Sequence, residues 1–258
     1  MTWQTFPFFL GVAAAFWLAA FVPRIPRPGL WVLLGTCVLA VFIGGLWLEL
    51  ERPPMRTLGE TRLWFGVLLP VCGLMVYRFV PWRWPLLYAA TIGFLFLFFT
   101  ALRPETHDRT LMPALQSPWF VPHVVLYLIA YAFLVYAAAI SLWGTWRTRR
   151  LNEGAETFVR LAETALWIGF GFLTLGLLAG AVWAKEAWGH YWTWDPKETW
   201  AFLTWAVYLA YFHLRTEWTA QPRRALLFLA AASVVVFITW FGVNYLPSAA
   251  QSVHTYTS

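Results

Sequence analysis

The sequence predicts an all-α protein: a polytopic integral membrane helical bundle of about eight transmembrane helices, with the N-terminus and C-terminus both outside. Three observations carry this. The 258-residue chain is 60% hydrophobic and only 12% charged, a balance that excludes an ordinary soluble domain. Its apolar residues gather into eight runs, about 5–22, 30–48, 63–80, 85–102, 119–143, 164–184, 199–214 and 225–246. Each is close to the ~20 residues that a helix needs to cross the hydrocarbon core. No series of ~10-residue alternating segments is present, which excludes a β-barrel.

The first run, beginning Met1-Thr2-Trp3-Gln4, has no positively charged segment before it and reads as a retained span, not a cleaved leader. Proline-rich links such as Val22-Pro23-Arg24-Ile25-Pro26-Arg27-Pro28 close the spans. The third run contains Pro70 and is the weakest of the eight, because proline removes a helix hydrogen bond. No internal repeat is evident and no gap accommodates a soluble domain. Residues 1–258 therefore read as one membrane domain, with four spans in 1–102 and a second part, 103–258, containing a Trp-rich loop at 185–198. Cys37 and Cys72 sit in apolar runs, form neither CxxC nor CxxCH, and read as packing residues.

Basic residues orient the spans. With the N-terminus outside, eleven Lys and Arg fall on the inner side and seven on the outer, where they include Arg109, Lys185 and Lys197. Counting acids as well, the inner side carries +7 and the outer −1, which accounts for the net +6. The positive excess is topological, and no nucleic acid partner is needed to explain it; membrane lipid is the surrounding medium.

The most informative stretch is Trp183 to Trp205, which holds Trp183, Trp188, Trp192, Trp194, Trp200 and Trp205. An interfacial aromatic belt is one reading. A platform for a flat apolar ligand is the other, because a belt requires only scattered aromatics and Trp188 to Asp195 packs three Trp and a Tyr into eight residues. Asp195, Pro196 and Glu198 at N-cap, N1 and N3 form a helix start close to a capping box, which is enough to explain the carboxylates. Five histidines are present. His123, His254, His190 and His107 fall on the outer side, and His213 lies near the inner leaflet, about fifteen residues into the seventh run. His107 reads as a solvated loop residue, His190 as structural. His123 and His254 flank the Trp loop from opposite ends of the second part, and a pair of imidazoles suits six-coordinate haem iron. His213 reads either as an interfacial residue beside Arg215 or as a functional group within a span.

The run Trp188-Gly189-His190-Tyr191-Trp192-Thr193-Trp194-Asp195 resembles the "WWD" signature of the haem-handling family. Its continuation through Trp200 resembles the CcsA (ResC) branch that serves cytochrome c assembly. Residues 111–124 and 239–256 resemble the segments that carry that branch's two outer haem-ligand histidines, so three blocks match in order. The resemblance implies that His123 and His254 are axial ligands of a non-covalently held haem b. It implies that Trp188, Trp192, Trp194 and Asp195 belong to its binding site, and that His213 contacts a second, inner haem. It further implies a CcsB-like membrane subunit, an apocytochrome c that receives the haem, and residence in a bacterial cytoplasmic or thylakoid-type membrane with the active face outward. On this reading the chain is a component of a cytochrome c haem lyase that presents haem for thioether attachment to CxxCH. Lys185, Lys197 and Arg109 are candidate propionate partners, or simple loop charges. Three alternatives stay open: a HemX-like factor of haem biosynthesis, a b-type haem electron-transfer subunit, and a transporter. The last is disfavoured by spans nearly free of ionisable residues.

Overall fold

The computed structural model describes residues 1–55, 57–79, 82–107, 117–150, 154–240 and 242–247. Among them are eight α-helices: α1 (Phe6–Phe21), α2 (Pro28–Leu50), α3 (Leu58–Phe79), α4 (Trp84–Ala101), α5 (Phe120–Arg150), α6 (Ala155–Trp188), α7 (Pro196–Glu217) and α8 (Pro222–Trp240). Seven are long and apolar enough to cross a membrane. The remaining one, α7, has the length, at 22 residues or about 33 Å, but Lys197, Glu198, Arg215 and Glu217 near its ends make it less apolar. The protein is an all-α polytopic integral membrane protein.

Helix ends depart from the hydropathy runs for a simple reason. α5 and α6 have 31 and 34 residues, about 46 and 51 Å, against a hydrocarbon core of ~30 Å. Arg147, Arg149 and Arg150 extend α5, while Glu156, Arg160 and Lys185 extend α6. These residues keep a helix going outside the apolar layer but are invisible to a hydropathy window. α8 ends sooner than its run, at Trp240, and Gly242–Tyr245 form a 3₁₀ turn.

The chain divides into two compact units, Met1–Gln116 and Ser117–Ser258. In the first, α1 packs on α2 and α3 on α4. The buried indole of Trp17 donates to Val32 O at 3.1 Å. Pro70 is accommodated inside α3. Lacking an N–H, it cannot satisfy the Gly66 carbonyl, and Gly93 of α4 packs there: a Cβ at 93 would stand 2.7 Å from Gly66 O. The start of α3 is fixed by Glu60, which is 1% exposed and paired with Arg52 through two 3.0 Å hydrogen bonds. His107 is not a solvated loop residue. It stacks on Trp3 at 3.9 Å and 9°, and its Nε2 lies 3.1 Å from Thr100 O. Cys72 is buried, as expected, but Cys37 lies on an exposed helix face and is not a core packing residue.

In the second unit α5 and α6 form a long seam, α8 lies against α5, and α7 packs chiefly on α8. Glycines bring the seam close: Gly144 faces Phe158, and Gly169 faces Phe133 and Leu134. Thr204 of α7 and Thr239 of α8 hydrogen bond at 2.7 Å, and both reach the Trp200 carbonyl. Such bonds between membrane helices contribute about 0.6–2 kcal/mol each.

Candidate functional site

The site grows from two ends of the second unit's helices. His123 stands in the first turn of α5, just after Pro122, a position where proline costs nothing because the first helical N–H groups have no partner in the helix. It points into the α5–α6 seam. Its Nδ1 lies 3.0 Å from the Gly176 carbonyl of α6. A carbonyl only accepts, so Nδ1 carries a proton, and in the neutral ring Nε2 then carries the lone pair. The imidazole stacks on Trp183 at 5.3 Å and 21° and meets Tyr127 edge-on at 4.8 Å. Trp183 is 2% exposed, and another of its neighbours is Trp188, at 4.7 Å and 67°. His123, Trp183 and Trp188 thus form one continuous aromatic group.

α6 ends at Trp188 and is capped by Gly189, whose φ of +85° is the left-handed conformation that glycine adopts without strain. The Lys185 ammonium donates to Gly189 O at 2.8 Å and lies over the Tyr191 ring. Lys185 therefore caps its own helix, the structural alternative to a propionate partner. His190 and Tyr191 are exposed.

From Thr193 onward the loop is held by one carboxylate. Glu198 Oε2 accepts from Thr193 N at 2.7 Å, Thr193 Oγ1 at 3.2 Å and Asp195 N at 3.3 Å. Asp195 Oδ1 in turn accepts from Glu198 N at 2.9 Å, completing the capping box that the sequence foreshadows. Both residues are 8% exposed. Asp195 thus serves as N-cap. Between Thr193 and Asp195 stands Trp194, with φ of +61°, a genuine backbone outlier for a bulky side chain. Thr199 Oγ1 donates to its carbonyl at 3.0 Å, and the residue is 61% exposed. Strain of this kind persists only where surrounding bonds over-determine it, and it concentrates at ligand-contacting positions.

Trp192 meets Trp194 edge-on at 5.7 Å. Its indole Nε1–H is shielded from solvent and has no hydrogen-bond acceptor among the described residues, a situation that costs about 1–3 kcal/mol. Trp194 leads on to Phe202, Trp205 and Phe170 through centroid distances of 5.5, 6.0 and 5.8 Å. This second aromatic group runs down the α6–α7 face. Lys197 is half-buried just outside the 199–214 run. Burial pushes its ammonium below the ordinary lysine range, and the Asp195 charge acts in the opposite sense.

His213 lies at the far end of α7, about 26 Å along the helix from the loop. It is exposed, and its Nδ1 lies 3.1 Å from Leu209 O of its own helix. Arg215 beside it is engaged elsewhere, with Glu163 at 2.7 Å and Glu156 at 2.8 Å. Tyr211 donates to the same Glu163 oxygen at 2.8 Å. Tyr211 and Arg215 are four residues apart and share the helix face toward α6, which turns His213 away from it. No motif in the sequence marks this Glu163 cluster. The glycines beneath His123 do have a signal in the sequence: Gly176 and Gly180 have the GxxxG spacing of close helix contact. His254 and Arg109 lie outside the described residues.

These features define a class: a helical membrane protein with an imidazole set among aromatics and a strained Trp loop beside it. A profile described as "Cytochrome C assembly protein" matches residues 67–250. The chain belongs to the cytochrome c assembly protein family. Relatives include the "Cytochrome c biogenesis protein CcsA" of Synechococcus elongatus, 28% identical over 98% of this chain and 95% of the relative. The protein of the same description from Parasynechococcus marenigrum is 31% identical over 92% and 89% of the two chains. That of Chlamydomonas reinhardtii is 37% identical over 57% of this chain and 42% of its own length. Family and relatives together assign the protein a role in cytochrome c biogenesis.

Proposed function

We propose that the protein holds haem at the Trp-loop end of α5 and α6 and presents it to apocytochrome c for thioether attachment, as one component of a haem lyase. The observation that carries this reading is the state of His123. An imidazole whose Nδ1–H is bonded to a carbonyl presents Nε2 as a neutral, oriented ligand, the form that haem iron takes. His254 supplies the second axial nitrogen, and Trp188, Trp192 and Trp194 supply the apolar faces that grip a porphyrin without bonding to it. The unmatched Trp192 N–H fits the carboxylate edge of such a ligand, whose anionic groups need donors. Lys197, in the first turn of α7 beside Asp195, is a candidate for the same edge, and Lys185 is engaged in capping its own helix. Haem is cargo here, and non-covalent contact keeps its release possible. The partners are an apocytochrome bearing CxxCH and a CcsB-like membrane subunit. The face carrying the loop is outward, in a bacterial cytoplasmic or thylakoid-type membrane.

Purified protein should carry haem with a low-spin, two-imidazole absorption spectrum. Trp192→Ala and Trp194→Ala should each lower bound haem or its transfer several-fold while the protein still inserts. Full haem content and full cytochrome c maturation in both variants would overturn the platform.

His213 contributes a separate contact on this proposal. It is turned away from the α6–α7 contact, where a partner's span carrying a second imidazole completes an inner site that passes haem outward. His213→Ala should lower haem loading of the outer site in cells and leave the spectrum of protein loaded from outside unchanged. Normal loading in cells would return His213 to an interfacial residue.

A further inference from the structure

We propose that Gly176 and Gly180 of α6 form a seat that fixes the tautomer and orientation of His123, making them positioning residues of the site. The claim rests on the haem-ligand reading only for its consequence; the seat itself is a matter of local geometry. Inside a helix the carbonyl of Gly176 is directed along the axis toward residue 180, and in most helices the Cβ of that residue would crowd a side chain approaching from outside. Here residue 180 has none. A Cβ built at Gly180 would stand 2.7 Å from both Cε1 and Nδ1 of His123, inside the distance that real contacts allow. The ring therefore lies where that methyl group would be, and there its Nδ1 reaches Gly176 O at 3.0 Å. The bond is available because a carbonyl oxygen has a second lone pair beyond the one used in the helix.

The ring is held on other sides as well. Trp183 covers one face at 5.3 Å, and Tyr127 stands edge-on at 4.8 Å. Tyr127 is itself seated on Gly176, where a Cβ would come within 2.8 Å of its ring. The two glycines thus serve two neighbouring rings of α5, and the atoms nearest to a methyl group at 180 are all in the imidazole. The chemical consequence is specific. Donation from Nδ1 makes Nε2 the lone-pair nitrogen and raises its basicity, and partners of this kind are typically worth ~10–100-fold in metal affinity.

The test uses the full chain labelled with 15N-histidine, together with Gly180→Ala and the control Gly171→Ala. Gly171 lies on the same helix, and a Cβ there meets nothing within 4 Å. In haem-free protein the nitrogen spectrum of His123, assigned by its loss in His123→Gly, should be that of the Nδ1–H tautomer, unchanged in Gly171→Ala and lost in Gly180→Ala. Titrated with haem, Gly180→Ala should bind about 10–100-fold more weakly, added imidazole should restore the low-spin spectrum, and Gly171→Ala should match the parent. An Nε2–H tautomer in the parent protein overturns the seat whether or not Gly180→Ala accumulates. So does a Gly180→Ala protein with unchanged tautomer and unchanged haem affinity. If the tautomer behaves as described but His123→Gly binds haem like the parent, the seat stands and the ligand assignment falls.

Discussion

Replacing Glu198 with alanine should abolish cytochrome c maturation while leaving a protein that still inserts in the membrane. The side chain is not expected to touch haem. Its Oε2 accepts from Thr193 N, Thr193 Oγ1 and Asp195 N, and leaving the buried Asp195 N–H unmatched alone costs about 1–3 kcal/mol. Trp194 is held in a left-handed backbone conformation that costs roughly 1–3 kcal/mol. Without the carboxylate that offsets this strain, the 193–195 turn should relax and withdraw the exposed indole from its position. Glu198→Gln should be intermediate, since an amide oxygen still accepts but its NH2 group does not. Maturation activity compared with membrane-inserted protein checks this. Wild-type activity in Glu198→Ala would mean that the loop does not need its observed shape. Thr199→Val, which removes the side-chain bond to the Trp194 carbonyl, should give a smaller loss in the same direction.

Much of this architecture is legible in the sequence because it depends on local chemistry. Apolar runs announce spans, and Asp195-Pro196-Lys197-Glu198 announces a helix start; both are present. Pro70 weakens the third run, yet α3 continues through it, with Gly93 of α4 packed against the Gly66 carbonyl. Nothing in a single sequence ties residue 93 to residue 70, so that accommodation cannot be read in advance. The same limit applies at the site. His123 is legible as a candidate from its place at the start of the fifth run and its pairing with His254 about the Trp loop, but its tautomer depends on Gly176, 53 positions away. His107 departs from the solvated reading because the ring it stacks on, Trp3, is distant in the chain. The Glu163 cluster is invisible in one dimension because its three members lie on two helices, and only the fold brings Tyr211 and Arg215 to one carboxylate. Trp194 carries no sign of its backbone strain, since a bulky residue is the last expected at positive φ.

The central claim is that His123 binds haem iron through Nε2, and His123→Gly tests it most directly. Deleting the imidazole leaves a ring-sized space between Trp183 and Gly180, with the Gly176 carbonyl still directed into it. That space matches a free imidazole molecule. Purified His123→Gly should lose haem by more than the ~10–100-fold expected for removing an outer-shell partner, and what remains should lack the low-spin two-imidazole spectrum. Added imidazole should restore both the spectrum and cytochrome c maturation. A His123→Gly protein that keeps the parent spectrum and full haem content without added imidazole would contradict the account.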